Sequence, residues 1–380
     1  MPWKIMVTEE DKLTIKIDGL KAFYTSKKGL VRAVNDISFE IKEGESVGLF
    51  GESGAGKTSV ALAILGLFDD MSRHYASTSG EAENKQQWAL REEARKKGIT
   101  SKEMGRDLPG VEGHIWFEGK DLVALDEKEF RRIRGYRITY VPQGTVKSLN
   151  PYSKIHEQTA EAIFAHDEEK ELKEWQVMKR VLQSLDLVEL GDVDIRKDMK
   201  PGQFSMGEDQ RVLIAMAVAP DPALIIADEP TTAVDMAIQT RILDALQIIR
   251  ESTKLSLLII SNNQGTIAQT CDKVAVMTAG KIVELGTTDT IMNSPGHPFT
   301  RAFIMSNPTM EIIRKMKMKG LRIRGIPGKP PNPTQPLVGC PFSERCEYAI
   351  DRCHEEIPEY REVEDGHWLM CFRYEDLPEW

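Results

Sequence analysis

Three groups of residues have types and spacings suited to chemistry. Gly51, Glu52, Ser53, Gly54, Ala55, Gly56, Lys57 and Thr58 match the phosphate-cradling pattern G-x-x-x-x-G-K-[ST] in full. In such a loop glycines let backbone N–H groups turn toward phosphate oxygens, and the following helix start adds partial positive charge. Ser53 through Ser59 are therefore the expected phosphate contacts, with Lys57 neutralising the outer phosphates and the Thr58 hydroxyl ligating Mg2+. Asp228 and Glu229 close the apolar run Leu224, Ile225, Ile226, Ala227, a placement that suits metal and water chemistry beside a phosphate loop. Asp228 is expected to hold magnesium and Glu229 to orient or deprotonate the attacking water. The third group is Cys340, Cys346, Cys353 and Cys371, four of the five cysteines, crowded into residues 340–380.

These groups need elements to carry them. Val47, Gly48, Leu49 and Phe50 read as a buried strand entering the loop, and Ser59 to Leu65 as a helix leaving it. Residues 12–50 alternate in strand fashion, with Lys27, Lys28 and Gly29 as a hairpin tip. Residues 69–112 are polar and include EAENKQQWALREEARKKG, read as an inserted surface helix whose charges form a solvated face. Strand and helix return over 113–142. Residues 155–190 are helical, with Trp175, Met178, Val181, Leu182 and Leu185 on one apolar stripe. Past Phe303 a helix rich in Met and Lys leads to Pro327, Pro330, Pro331, Pro333 and Pro336, a stiff connector before the cysteines. A boundary near residue 325 follows, and no solenoid repeat is present.

Bulk properties narrow the classes. At 380 residues the chain holds one large α/β domain and an appendage. Lys and Arg total 50 against 59 Asp and Glu, a net charge of -9, which argues against a nucleic-acid binder. The N-terminus lacks a cationic start before an apolar core, and no segment reaches the ~18 apolar residues of a membrane span, so a cytoplasmic chain is expected. In a reducing compartment the four-cysteine cluster reads as a metal site before disulfides, and Cys271 as a buried small residue.

DEPTTAVD (Asp228 to Asp235) and FSMGEDQR (Phe204 to Arg211) resemble the Walker B, D-loop and signature segments of ABC transporter ATPases. Gln143 in VPQGTVKSLNP is similar to the Q-loop glutamine of that family, a magnesium and γ-phosphate contact. Tyr24 or Phe23 resembles the aromatic that stacks on adenine, and Asn262 occupies the switch-histidine position. The match spans roughly residues 10–300. SLNP (148–151), HPFTRAF (297–303), IRGIPGKPP (323–331) and GCPFSERC (339–346) resemble the oligopeptide and dipeptide importer subfamily. The resemblance implies a P-loop ATPase core (1–300) with an antiparallel β subdomain and a helical subdomain (about 146–214). It also implies a C-terminal extension (301–380) bearing the cysteines. It further implies two ATPase subunits docked head-to-tail beneath two membrane-spanning permease subunits, fed by an external binding protein. Each ATP would lie between one subunit's phosphate loop and the Ser205 and Gly207 signature and Asp235 of the other.

Two positions depart from the family pattern. Asn262 can donate a hydrogen bond but cannot become cationic, and Met206 puts a side chain where a glycine is usual. The two departures fall in different composite sites, so a partner with a better-preserved sequence would leave each site with one, which favours a heterodimer. The same departures keep open a regulatory subunit that binds ATP and seldom cleaves it; a soluble, non-transport ABC ATPase is the other alternative. The cysteine gaps of five, six and seventeen residues do not match zinc knuckles. Resembling peptide-importer subunits include members with a 4Fe-4S cluster at this place, with zinc, helped by His354 or His367, and no metal as alternatives.

Overall fold

A computed structural model describes residues 12–69, 82–97, 107–144, 148–167, 171–232, 235–306, 313–314, 318 and 325–378. The expected Met- and Lys-rich helix after Phe303 lies largely outside the described residues, as do both flanks of the 82–97 helix.

Two sheets share one body. The strands are β1 (Leu13–Ser26), β2 (Gly29–Lys42), β3 (Ser46–Gly51), β4 (Gly110–Phe117), β5 (Lys120–Asp121) and β6 (Ile138–Val141), followed by β7 (Leu224–Asp228), β8 (Ser256–Ser261), β9 (Lys273–Thr278), β10 (Lys281–Thr287), β11 (Arg361–Glu364) and β12 (His367–Leu369). The smaller sheet runs β2-β1-β4-β5 and is antiparallel, with the hairpin turning at Lys27 and Lys28. The larger runs β11-β12-β10-β9-β3-β8-β7-β6; β6, β7, β8, β3 and β9 are parallel, and β10, β12 and β11 add antiparallel strands at one edge.

The continuous apolar runs of β3, β7 and β8 mark strands covered on both faces. Alternation along them splits the core in two. Leu224, Ile226, Leu258 and Ile260 pack under the antiparallel sheet and the helix Lys57–Ile64. Ile225, Ala227, Leu257 and Ile259 pack on the opposite face, toward the helices Ile155–Phe164, Glu174–Leu187 and Met206–Val218. The same core includes Cys340, Phe342, Cys353 and Met370 of the tail.

Two local expectations change. On Glu174–Leu187 the expected Val181 and Leu185 are buried and Met178 packs against the core, joined by Val177 and Ser184, while Trp175 at the start of the helix is 64% exposed. The helix Ala82–Lys97 is present, but its charges are not all solvated. Arg91 donates to Glu112 Oε1 (3.0 Å) and to the Val111 carbonyl (2.6 Å), and Trp88 and Ala94 are buried, so the helix lies on β4.

Candidate nucleotide site

The phosphate loop leaves β3 where a side chain has no room. A Cβ on Gly51 would stand 2.0 Å from the Met277 carbonyl oxygen; one on Gly56, at φ 102°, would stand 2.1 Å from that of Ala33. These close approaches seat the loop against β9 and β2, and the helix Lys57–Ile64 starts directly after Gly56. Lys57 is buried, its ammonium donating to the carbonyls of Gly51 (2.8 Å) and Glu52 (3.0 Å). Burial lowers its pKa, against the raising influence of Glu229, Asp228 and Glu52.

β7 delivers the carboxylates. Asp228 is 1% exposed; its Oδ2 accepts from the Thr58 hydroxyl (2.7 Å) and from the Tyr140 hydroxyl (3.2 Å). Its Oδ1 is buried without a hydrogen-bond partner, and burial raises its pKa. An unsatisfied buried carboxylate oxygen beside a hydroxyl is a donor set that fits Mg2+, which prefers hard oxygen ligands. Glu229 follows at φ 49°, a left-handed conformation that non-glycine residues rarely adopt away from functional sites. The backbone N–H of Asn262 donates to its Oε1 (3.1 Å) and the Thr232 hydroxyl to its Oε2 (3.3 Å). Burial raises its pKa as well, which moves a carboxylate toward the range useful for a general base.

One cavity of about 870 Å³, in the size range of small-molecule sites, gathers these groups. Ser53 through Ser59, Gln143, Asp228, Glu229 and Asn262 line it, together with Tyr24. Of the two aromatics read from the sequence, Tyr24 faces the cavity, while Phe23 is buried with Arg32 over its ring. Ser205, Gly207 and Asp235 are absent from the wall. Ser205 caps the helix Met206–Val218 in a capping box with Glu208, and Asp235 caps Met236–Thr253. Gly207 is buried where a Cβ would lie 2.1 Å from Ile238, so it lets those two helices touch. Ser205, Met206 and Asp235 are exposed.

Beside Val31 to Ala33, Asn35, Ala279 and Gly280, the rest of the wall comes from the tail, whose prolines suggested a stiff connector. Lys329 to Val338 and Cys340 to His354 contribute lining residues, among them Pro331, Asn332 and Glu344. The run of prolines shows a stiff segment but not the surface it lies on. Pairing of Arg32 N–H with the Pro333 carbonyl (2.8 Å) decides that.

Cys340, Cys346, Cys353 and Cys371 line a second, small cavity of about 20 Å³, beside His297 and Phe342. All are free thiols; burial first, then the neighbouring thiols, pushes Cys340 up to about 12 and Cys346 to about 11. Among the described residues no group of three or more His, Cys, Asp or Glu side chains is arranged to hold a metal ion. The expected four-cysteine metal site, iron–sulfur or zinc, is therefore not supported by the described residues. His354 lies against Glu344 and His367 against Glu284. Cys271 is buried as expected, its thiol raised to about 12 by burial.

Among the described residues no helix is long and apolar enough to cross a membrane. The family model described as ABC transporter matches residues 34–105 and 97–232, and the one for the oligopeptide/dipeptide transporter C-terminal region matches 283–353. A probable peptide ABC transporter ATP-binding protein of Sinorhizobium fredii is 33% identical over 365 residues, covering 96% of each chain. The dipeptide transport ATP-binding protein DppD of Bacillus subtilis is 33% identical, covering 94% of each. Among solved structures, CbiO1 of Clostridium perfringens, part of the ABC transporter complex CbiONQ, aligns with TM-score 0.57 at 19% identity, covering 82% of this chain and all of that one. The dimeric bacterial cassette MJ0796 aligns with TM-score 0.56 at 23% identity, covering 72% of this chain and 98% of that one. Phosphate loop, carboxylate pair, fold and both family matches agree: the chain belongs to the ABC transporter ATPases, in the group that carries the oligopeptide/dipeptide transporter C-terminal region.

Proposed function

We propose that this chain is the ATP-hydrolysing subunit that drives a peptide importer, working peripherally at the cytoplasmic face of a membrane. Its partners are a second ATPase subunit and two membrane-spanning permease subunits. The observation that carries the reading is the division of residues. Lys57, Thr58, Gln143, Asp228, Glu229 and Asn262 share one cavity, while the exposed Ser205 and Asp235, at two helix starts, and the buried Gly207 beside Ser205 stand outside it. A site so divided is completed by a second subunit that brings its own signature over this loop, while this signature serves the partner's loop. Peptide as cargo is supported by the names of the relatives and by the C-terminal region match.

In this reading Lys57 and the loop amides bind the triphosphate and Tyr24 stacks on the base. Thr58 and Asp228, with Gln143, hold Mg2+, which supplies charge neutralisation to the phosphate oxygens when bound. Glu229, fixed by the Asn262 N–H, takes the proton of the attacking water. Asn262 cannot supply a cationic imidazole, and Met206 is 44% exposed at the signature, so a partner of different sequence is the assembly that leaves one departure per site. In the tail, the four cysteines are proposed to ligate a 4Fe-4S cluster. Support comes from four thiols around one cavity, in a segment with little core of its own.

The test is Glu229→Gln in the assembled transporter. ATP binding is expected to persist while hydrolysis falls roughly 100-fold or more and peptide uptake stops. Uptake at the wild-type rate would transfer the motor role to the partner and leave this chain regulatory.

A further inference from the structure

Among the described residues the cysteine-bearing tail meets the phosphate loop through an ion pair. Arg345, last residue of the turn Ser343–Arg345 and neighbour of Cys346, grips Glu52, the second residue of the loop. Its Nη1 donates to Oε2 and its Nη2 to Oε1, both at 2.8 Å, a forked geometry that fixes direction as well as charge. The Thr278 hydroxyl at the end of β9 donates to the same Oε1 at 2.6 Å. The Arg345 side chain is 3% exposed and lies near the rings of Phe342 and Phe299, 5.2 and 5.9 Å from their centroids. Arg345 stands behind the loop: Glu52 lines the nucleotide cavity and Arg345 does not.

The charges around the cavity give this pair a task. Glu52, Asp228 and Glu229 all line the wall that Lys57 shares as a buried cation. An uncompensated carboxylate within the loop itself would repel a triphosphate at close range. Burial by itself would raise the pKa of Glu52. The bonds from Arg345 and Thr278 outweigh burial and leave it below the usual carboxylate range, ionised and in need of its partner. The tail is also anchored on the far side of the cavity, where the Thr334 carbonyl accepts from Arg32 Nη1 at 2.8 Å. Arg345 is thus held by two attachments of the tail and by two aromatic rings, and it transmits that fixed position to the loop.

We propose that Arg345 is a positioning residue for the phosphate loop: from the cysteine tail it orients and neutralises Glu52, and so strengthens this chain's hold on a nucleoside triphosphate. The proposal rests on the nucleotide reading of the cavity.

The experiment measures binding of a fluorescent ATP analogue to the full chain, with circular dichroism as a check on folding. Arg345→Met is expected to weaken binding roughly tenfold or more, because Glu52 is left charged and unpaired beside the phosphates. Adding Glu52→Gln to it is expected to restore affinity to within roughly threefold of wild type, a rescue that general damage to the tail would not permit. Wild-type affinity in Arg345→Met, or a double variant as weak as the single, overturns the proposal. If Arg345→Met does not fold, Arg345→Lys replaces it. The lysine variant, which keeps charge but loses the fork, is expected to bind several-fold more weakly. Equal binding by Arg345→Lys and wild type then overturns it. Failure of the wild-type chain itself to bind the analogue at millimolar concentration would instead remove the nucleotide reading.

Discussion

Asn262 shows what one side chain can change. Its backbone N–H holds Glu229, so a substitution there leaves the proposed general base in place and alters only what the side chain offers. Asn262→His would add a group able to carry positive charge next to a γ-phosphate. The ATPase rate of the assembled complex is expected to rise several-fold; an unchanged or lower rate, measured by phosphate release, would show that the asparagine is not the limiting departure. Glu229 carries a second residue-scale feature, its left-handed φ of 49°. The hydrogen bond from its own N–H to the Ile260 carbonyl (2.8 Å) and that from Thr232 N–H to its carbonyl (3.1 Å) hold this conformation, so the strain is carried by strand β8 and the turn that follows β7. The aligned residue types pointed to Asp228 and Glu229. The backbone geometry that aims Glu229 has no sequence signal, since nothing in its identity marks a positive φ.

At the scale of single elements, the helix Met206–Val218 begins with two carboxylates of opposite fate. Glu208 closes the capping box with Ser205 and pairs with Arg196; although burial opposes it, these bonds lower its pKa to about 2. Asp209, one residue on, is buried with Oδ1 unpartnered, and burial followed by the Glu208 charge raises it to about 6. A carboxyl with a raised folded pKa binds its proton more tightly folded than unfolded. Its contribution to stability is therefore full below the unfolded pKa near 3.8 and is lost as pH rises through about 6. Asp209→Asn removes that loss. Its melting temperature is expected to match wild type at pH 3.5 and to exceed it by about 2–4 °C at pH 7.5, as read by differential scanning calorimetry at both values. A constant difference across that range would assign Asp209 another role. The helix Glu174–Leu187 gives the complementary lesson about legibility. Periodicity located it and most of its buried face, but Trp175, expected in that face, lies exposed, because size in a sequence does not reveal whether a residue meets a neighbour.

For the molecule as a whole, the parallel sheet, the phosphate loop and the helical insertion could be read from motif order and apolar runs. The tail's placement could not: β12 joins β10 through Glu284 opposite Leu369, and Lys329 to Val338 wall the nucleotide cavity. Contacts so distant in sequence leave no local pattern when the segment is proline and turn. The cysteine site tests the tail directly. Anaerobically purified chain is expected to be brown, with absorbance near 400 nm and about four iron atoms per chain. Cys340→Ser together with Cys353→Ser should abolish the colour, and a colourless wild-type protein would exclude the cluster. The order of the larger sheet has one more effect. Without β11 and β12, the seven residues of β10 would present bare amide and carbonyl groups beside Val283 and Leu285, an invitation to strand-to-strand pairing between molecules. The outermost strand is instead β11, four residues long, with Arg361, Glu362 and Glu364 turned to water. The tail thus gives the sheet a short, charged border that guards the protein against aggregation.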